Sequence, residues 1–150
     1  FHDMWGFPSN NPKVVAGLLR HLVDKIENNA NEICKVKEFW MDDAEYILIS
    51  YGSSARSAIH MARNRRTRGV KIGVLELQTI WPFPEDLIRE KCANAKAVIV
   101  VEMNMGQVVT HVKNAVHHPD KVFLANRIDG QLISPTDIKT HFRMIQGKGV

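Results

Sequence analysis

Four short apolar runs, Tyr46–Tyr51, Val70–Leu77, Ala97–Val101 and Val122–Ala125, alternate along this chain with stretches of helical pattern. Each run is rich in β-branched residues and too short for a helix, so each reads as a strand buried on both faces. The intervening stretches Ser54–Arg66, Pro84–Ala93 and Gly106–Val116 are each long enough for a crossover helix. A repeated strand–helix–strand unit implies a mostly parallel sheet with helices on both faces, because parallel neighbours need a crossover between them. Lys35–Trp40 is a more charged strand candidate, which suits an edge position.

Both flanks of this core have signals of their own. Residues 1–12 hold Gly6, Pro8, Ser9, Asn10, Asn11 and Pro12 without periodicity, and read as an arm that needs a neighbour to be ordered. From Pro12 onward Val14, Val15, Leu18, Leu19, Leu22, Val23 and Ile26 recur at three- and four-residue spacing. They predict an amphipathic helix with Asn11 as its cap, ending near Asn28–Asn31. A closing helix is expected over Asp137–Ile145, capped by Ser134 or Thr136 with Pro135 between them. At 150 residues the chain buries roughly 68–70% of its unfolded surface and needs no disulfide or metal to fold.

Charge and cysteine content exclude several function classes. Twenty basic against 16 acidic residues give a net charge of +4, which permits contact with phosphates. Without a groove-reading motif it argues against sequence-specific nucleic-acid binding. The basic cluster Arg63–Arg68 falls at a helix end, where the macrodipole favours cations; a phosphate-binding patch is the alternative reading. Cys34 and Cys92 have no CxxC spacing, so a four-cysteine cluster cannot be built and a reducing, cytoplasmic setting fits. No apolar run approaches the ~20 residues of a membrane span, and the first residues lack a signal-peptide pattern. A start on Phe1 is what excision from, or processing of, a longer polypeptide would leave.

In a parallel sheet the strand-to-helix loops leave at the carboxyl edge, where open α/β sheets bind ligands or partners. Gly52, Ser53, Ser54 and Arg56 form one such loop, whose amides and hydroxyls could hold an anion. It is neither GxGxxG nor GxxxxGK[ST], and Ser54 as a helix cap is the structural reading. A second loop, Trp81-Pro82-Phe83-Pro84, places two aromatics between prolines as a rigid contact surface. The third, Glu102-Met103-Asn104-Met105-Gly106-Gln107, caps a buried strand with polar groups that are either hydrogen-bonded pins or partner contacts. No HExxH, HxxxH or GxSxG spacing occurs, so no catalytic residue and no metal ligand is assigned.

Taken together, Tyr51-Gly52-Ser53-Ser54-Ala55-Arg56-Ser57-Ala58, Trp81-Pro82-Phe83-Pro84-Glu85, Val101–Gln107 and Asp129-Gly130-Gln131-Leu132-Ile133-Ser134-Pro135 resemble a known family. They are similar to the C-terminal domain of the α subunit of 2-oxoacid:ferredoxin oxidoreductases, nearest the 2-oxoglutarate and branched-chain branches. The likeness runs in order from about Asp43 to Ile145, with residues 1–34 as a connector and 35–150 as the domain.

The resemblance implies an α/β fold like the C-terminal domain of transketolase: a three-layer α/β/α sandwich with a mostly parallel five-stranded sheet. Lys35–Trp40 would be its one antiparallel edge strand. The parallel order would be Val70–Leu77, Tyr46–Tyr51, Ala97–Val101, Val122–Ala125, with a crevice between the Gly52 and Glu102 loops. The resemblance also implies an enzyme that decarboxylates a 2-oxoacid on thiamine diphosphate with Mg, passes electrons through iron–sulfur clusters to ferredoxin, and releases an acyl-CoA. No GDG motif is present, so those cofactors would belong to a preceding domain and to the β subunit or further subunits. This domain, inactive alone, would serve assembly, with Trp81, Phe83, Glu102, Asn104 and Gln107 at the interface. A free-standing nucleotide- or CoA-binding protein using Ser53, Ser54 and Arg56 is the competing reading.

Overall fold

The computed structural model describes residues 1–147. Its centre is a five-stranded sheet of β1 (Val36–Phe39), β2 (Tyr46–Tyr51), β3 (Ile72–Leu77), β4 (Ala97–Glu102) and β5 (Val122–Asn126). The strands lie in the order β1-β3-β2-β4-β5. β1 runs antiparallel to β3, pairing Val36 with Leu77, and every other pairing is parallel. This is the architecture and strand order expected from the resemblance, with the antiparallel strand at the edge. The third strand begins at Ile72 and not at Val70, because residues 67–70 still belong to the turn leaving the preceding helix.

Because the strands are covered on both sides, their side chains sort alternately into two cores. On one face Leu48, Ile72, Val74, Ile99 and Val101 pack beneath Ala58, Met61 and Ala62 of α3 (Gly52–Arg66) and Ile138, Phe142 and Ile145 of α6 (Pro135–Gln146). On the other, Ile47, Ile49, Leu75, Val98 and Val100 pack beneath Ile88 and Cys92 of α4 (Glu85–Cys92) and Val108, Val109 and Val112 of α5 (Gln107–Ala115). Gly73 on β3 is required by this packing. A Cβ there would stand 2.8 Å from the Ala44 Cβ and 2.6 Å from the Met41 sulfur.

Helix ends follow ordinary capping chemistry. Of the two candidates for the last helix, Ser134 is the cap: its hydroxyl accepts from the Asp137 amide, and the Asp137 carboxylate accepts from the Ser134 amide. Asn11 caps α1 (Pro12–Glu27) by accepting from the Lys13 amide. α1 is followed by a single-turn helix that the spacing does not predict, α2 (Ala30–Ile33). No residue of α1 is buried. The arm before it turns back on itself and lies beside α1. Asp3 Oδ1 accepts from the Trp5 and Phe7 amides, and the Asp3 amide donates to the Phe7 carbonyl. Among the described residues no helix is long and apolar enough to cross a membrane.

Candidate functional site at the carboxyl edge of the sheet

The carboxyl edge is built on the corner where β4 turns into α5. Glu102 ends β4 with no exposed surface, and its two oxygens accept from the Val108 and Val109 amides, both at 3.0 Å. Asn104 completes the cap: its Oδ1 accepts from Gly106 at 2.8 Å and Gln107 at 2.9 Å. The first three amides of α5 are therefore satisfied from within, and its positive end is filled by the chain's own carboxylate. Gly106 makes the turn at φ 100°, a left-handed backbone that an L side chain adopts only with strain.

The same corner is tied to its neighbours. Asn104 Nδ2 donates to the Tyr51 hydroxyl at 2.7 Å, and Asn126 Nδ2 donates to the Asn104 carbonyl at 2.8 Å. Burial, and then the nearby charge of Glu102, push the Tyr51 phenol above its ordinary value, against the lowering effect of the Asn104 bond. One turn deeper, Ser50 Oγ donates to the Val101 carbonyl at 2.8 Å and lies 2.9 Å from Ser54 Oγ. Ser54 Oγ donates to the Tyr51 carbonyl at 2.8 Å. These bonds close the base of the crevice between β2 and β4.

Two sequence expectations are corrected here. Ser54 does not cap α3, whose cap position is Tyr51; the residue is buried and its hydroxyl is bonded within the β2–β4 junction. Glu102 likewise offers a partner no surface, which resolves its two readings in favour of the internal pin. Asn104 is half-buried, with its amide spent on the loop and on Tyr51. Gln107, by contrast, is exposed. Gly52 opens α3 at φ 55°, and Ser53, Arg56 and Ser57 line a cleft of about 280 Å³ with Met103 and Leu132.

The outer face of this edge is apolar. Trp81 is 67% exposed, Met105 79% and Leu132 70%, with Ile80, Met103 and Ile128 also open to solvent in the same three loops. Phe83 instead turns inward beside His111, ring centres 5.3 Å apart, and joins the α4–α5 core. The Trp81–Pro82 peptide is cis. The loop is tied back to the N-terminal side by the Cys34 thiol, which donates to the Pro82 carbonyl at 3.1 Å. Met105 and Leu132 stand in stretches named from the sequence but, like Ile128, carry no role there; large apolar residues in predicted loops are the signal for such a patch.

The donor set does not fit an iron–sulfur cluster or a divalent metal. Among the described residues no three His, Cys, Asp or Glu side chains converge. Burial pushes the Cys92 thiol up to about 12, and it raises Cys34 as well against the opposing effect of Lys35.

A three-layer sandwich with one antiparallel edge strand, its strand-to-helix loops converging on a single edge, defines an α/β domain of the transketolase C-terminal type. The fold matches a 2-oxoglutarate:ferredoxin oxidoreductase from Magnetococcus marinus with TM-score 0.79 at 20% identity, over 96% of this chain and 25% of that one. It also matches a split-gene transketolase with TM-score 0.59 at 13% identity, over 73% of this chain and 41% of that one.

More specifically, residues 44–138 match the model of the pyruvate:ferredoxin oxidoreductase core domain II, and the chain belongs to that family. It is 37% identical to the 2-oxoglutarate synthase subunit KorA of Methanothermobacter marburgensis over 91% of this chain and 37% of that protein. To the ketoisovalerate oxidoreductase subunit VorB of the same organism it is 38% identical over 79% of this chain and 33% of that protein. The chain thus spans about a third of the length of these curated relatives.

Proposed function

We propose that this chain serves as the assembly domain of the α-type subunit of a 2-oxoacid:ferredoxin oxidoreductase, with 2-oxoglutarate as the 2-oxoacid. The enzyme oxidatively decarboxylates its substrate to an acyl-CoA with ferredoxin as electron acceptor, in the cytoplasm. Thiamine diphosphate, Mg and the iron–sulfur clusters are held elsewhere in the complex, and residues 35–150 form the domain, with 1–34 as its connector. The observation that carries this reading is the 37% identity to a 2-oxoglutarate synthase subunit across nearly the whole chain. Six exposed apolar side chains on the carboxyl-edge loops support it, since a monomer has little reason to gather them on one edge.

On this edge Trp81 is the anchor and Gln107 a polar contact, while Phe83 and Asn104 hold the contacting loops in place. Large exposed aromatics of this kind carry much of the energy of an interface once a partner covers them. The test is purification of the native chain under gentle conditions, with the co-purifying chains and their cofactors identified. A partner containing thiamine diphosphate and iron–sulfur clusters is expected, together with CoA-dependent reduction of ferredoxin by 2-oxoglutarate. Trp81→Ala then weakens that association while leaving the fold intact. A chain that purifies alone and is stabilised by CoA or nucleotides supports instead an independent ligand-binding protein working through Ser53 and Arg56.

A further inference from the structure

The Arg63–Arg68 cluster takes no part in the carboxyl edge, and the fold divides it. Arg66 turns to Asp43 at 2.6 Å and to the Ile72 carbonyl, and Arg63 lies over the Trp40 ring. Arg65 and Arg68 point the other way, into a cavity of about 500 Å³ between the last turns of α3 and the first turn of α6. His60, Asn64, Thr67, Thr136 and Lys139 complete its polar lining, Pro135 borders it, and the buried Met61 lies at its floor.

Three features make this cavity a site for an anion. No carboxylate lines it, and among the described residues Arg65, Arg68 and Lys139 enter no ion pair. The nearest acid on α6, Asp137, is committed to Ser134 and Arg127. The Arg65 guanidinium is held 5.6 Å from the Phe142 ring centre, and its Nε is buried without a hydrogen-bond partner. It is thus fixed in place by stacking and not by a counter-charge. Finally, Asn64, Thr67 and Thr136 add uncharged polar side chains to the same lining, while the start of α6 itself is already capped by Ser134 and Asp137.

We propose that the α3–α6 cavity binds a phosphate-bearing ligand of nucleotide size. Arg65, Arg68 and Lys139 hold the phosphates, and the space beside Pro135 takes the organic part. A cleft lined by one sign of charge focuses its field on an incoming anion, and guanidinium groups match phosphate geometry. The volume exceeds what a single phosphate fills and lies in the range of small-molecule sites. The site is on the opposite helix pair from α4 and α5, and the proposal is independent of the subunit reading.

The test is titration calorimetry of the full chain with pyrophosphate and with ADP at fixed ionic strength. Saturable one-to-one binding is expected for both. It should weaken at least about tenfold in the double variant Arg68→Ala, Lys139→Ala. A control that removes the same charge elsewhere, Lys37→Ala with Lys113→Ala, should retain affinity within about twofold. Tighter binding of ADP than of pyrophosphate supports a ligand of nucleotide size, and equal or weaker binding of ADP overturns that part of the proposal. Absence of saturable binding, or equal weakening in both double variants, overturns the proposal. Circular dichroism confirms that each variant is folded.

Discussion

Helices α1 and α5 carry the same kind of sequence pattern and meet opposite fates. In α5, Val108, Val109, Val112 and Ala115 are all buried against the sheet. In α1 seven apolar residues recur at helical spacing and none is buried; Leu22 and Val23 are half open to solvent. Periodicity therefore establishes a helix and an apolar stripe, and says nothing about what covers the stripe. The cover of α5 comes from its anchorage: Glu102 at the end of the strand it follows, and Asn104 in the loop between them, hold its first turn over the sheet. α1 begins from a capped turn with no such strand behind it and lies beside the arm and α2.

That contrast can be broken at several points. The largest effect is expected for Glu102→Ala, which leaves two buried amides without an acceptor and should cost about 3 kcal/mol in urea unfolding. A loss below about 1 kcal/mol would mean that packing alone seats α5. Next, Val112→Ala should cost about 2 kcal/mol through the cavity it leaves, seen as a lowered melting midpoint. Asn104→Ala should cost about 1 kcal/mol and speed hydrogen exchange at the Gly106 and Gln107 amides, with the protection of β4 retained. Smallest of all, Leu22→Ala on α1 should change the stability of the isolated chain by less than about 0.5 kcal/mol. A cost similar to that of Val112→Ala would show that α1 is packed in solution and erase the difference between the two helices.

Much of the core was legible because its strands are unusually plain. A run such as Ala97–Val101 reads as burial on both faces, and Ser134-Pro135-Thr136 marks a helix start to within two residues, with the choice of Ser134 as cap left to the structure. Strand order came from the family resemblance; periodicity gives parallel units but no sequence of neighbours. What stayed hidden depends on contacts distant in the chain. The need for Gly73 arises from Met41 and Ala44 on the connection between β1 and β2. The inward turn of Ser54 arises from Ser50 and the Val101 carbonyl. The choice for Glu102 between pin and contact turned on whether its carboxylate reached the amides of Val108 and Val109, six and seven residues on.

The bonds joining Ser50, Ser54 and Val101, and the bond from Asn104 to Tyr51, have a mechanical meaning. In folds of this type the loops part at such a crevice, where ligands bind. Here the two walls are riveted at two depths, so a push on the Met105 loop is carried into the start of α3 as into a stiff plate. A protein seated on this edge would meet a surface that transmits load across the whole sheet and does not flex to meet it.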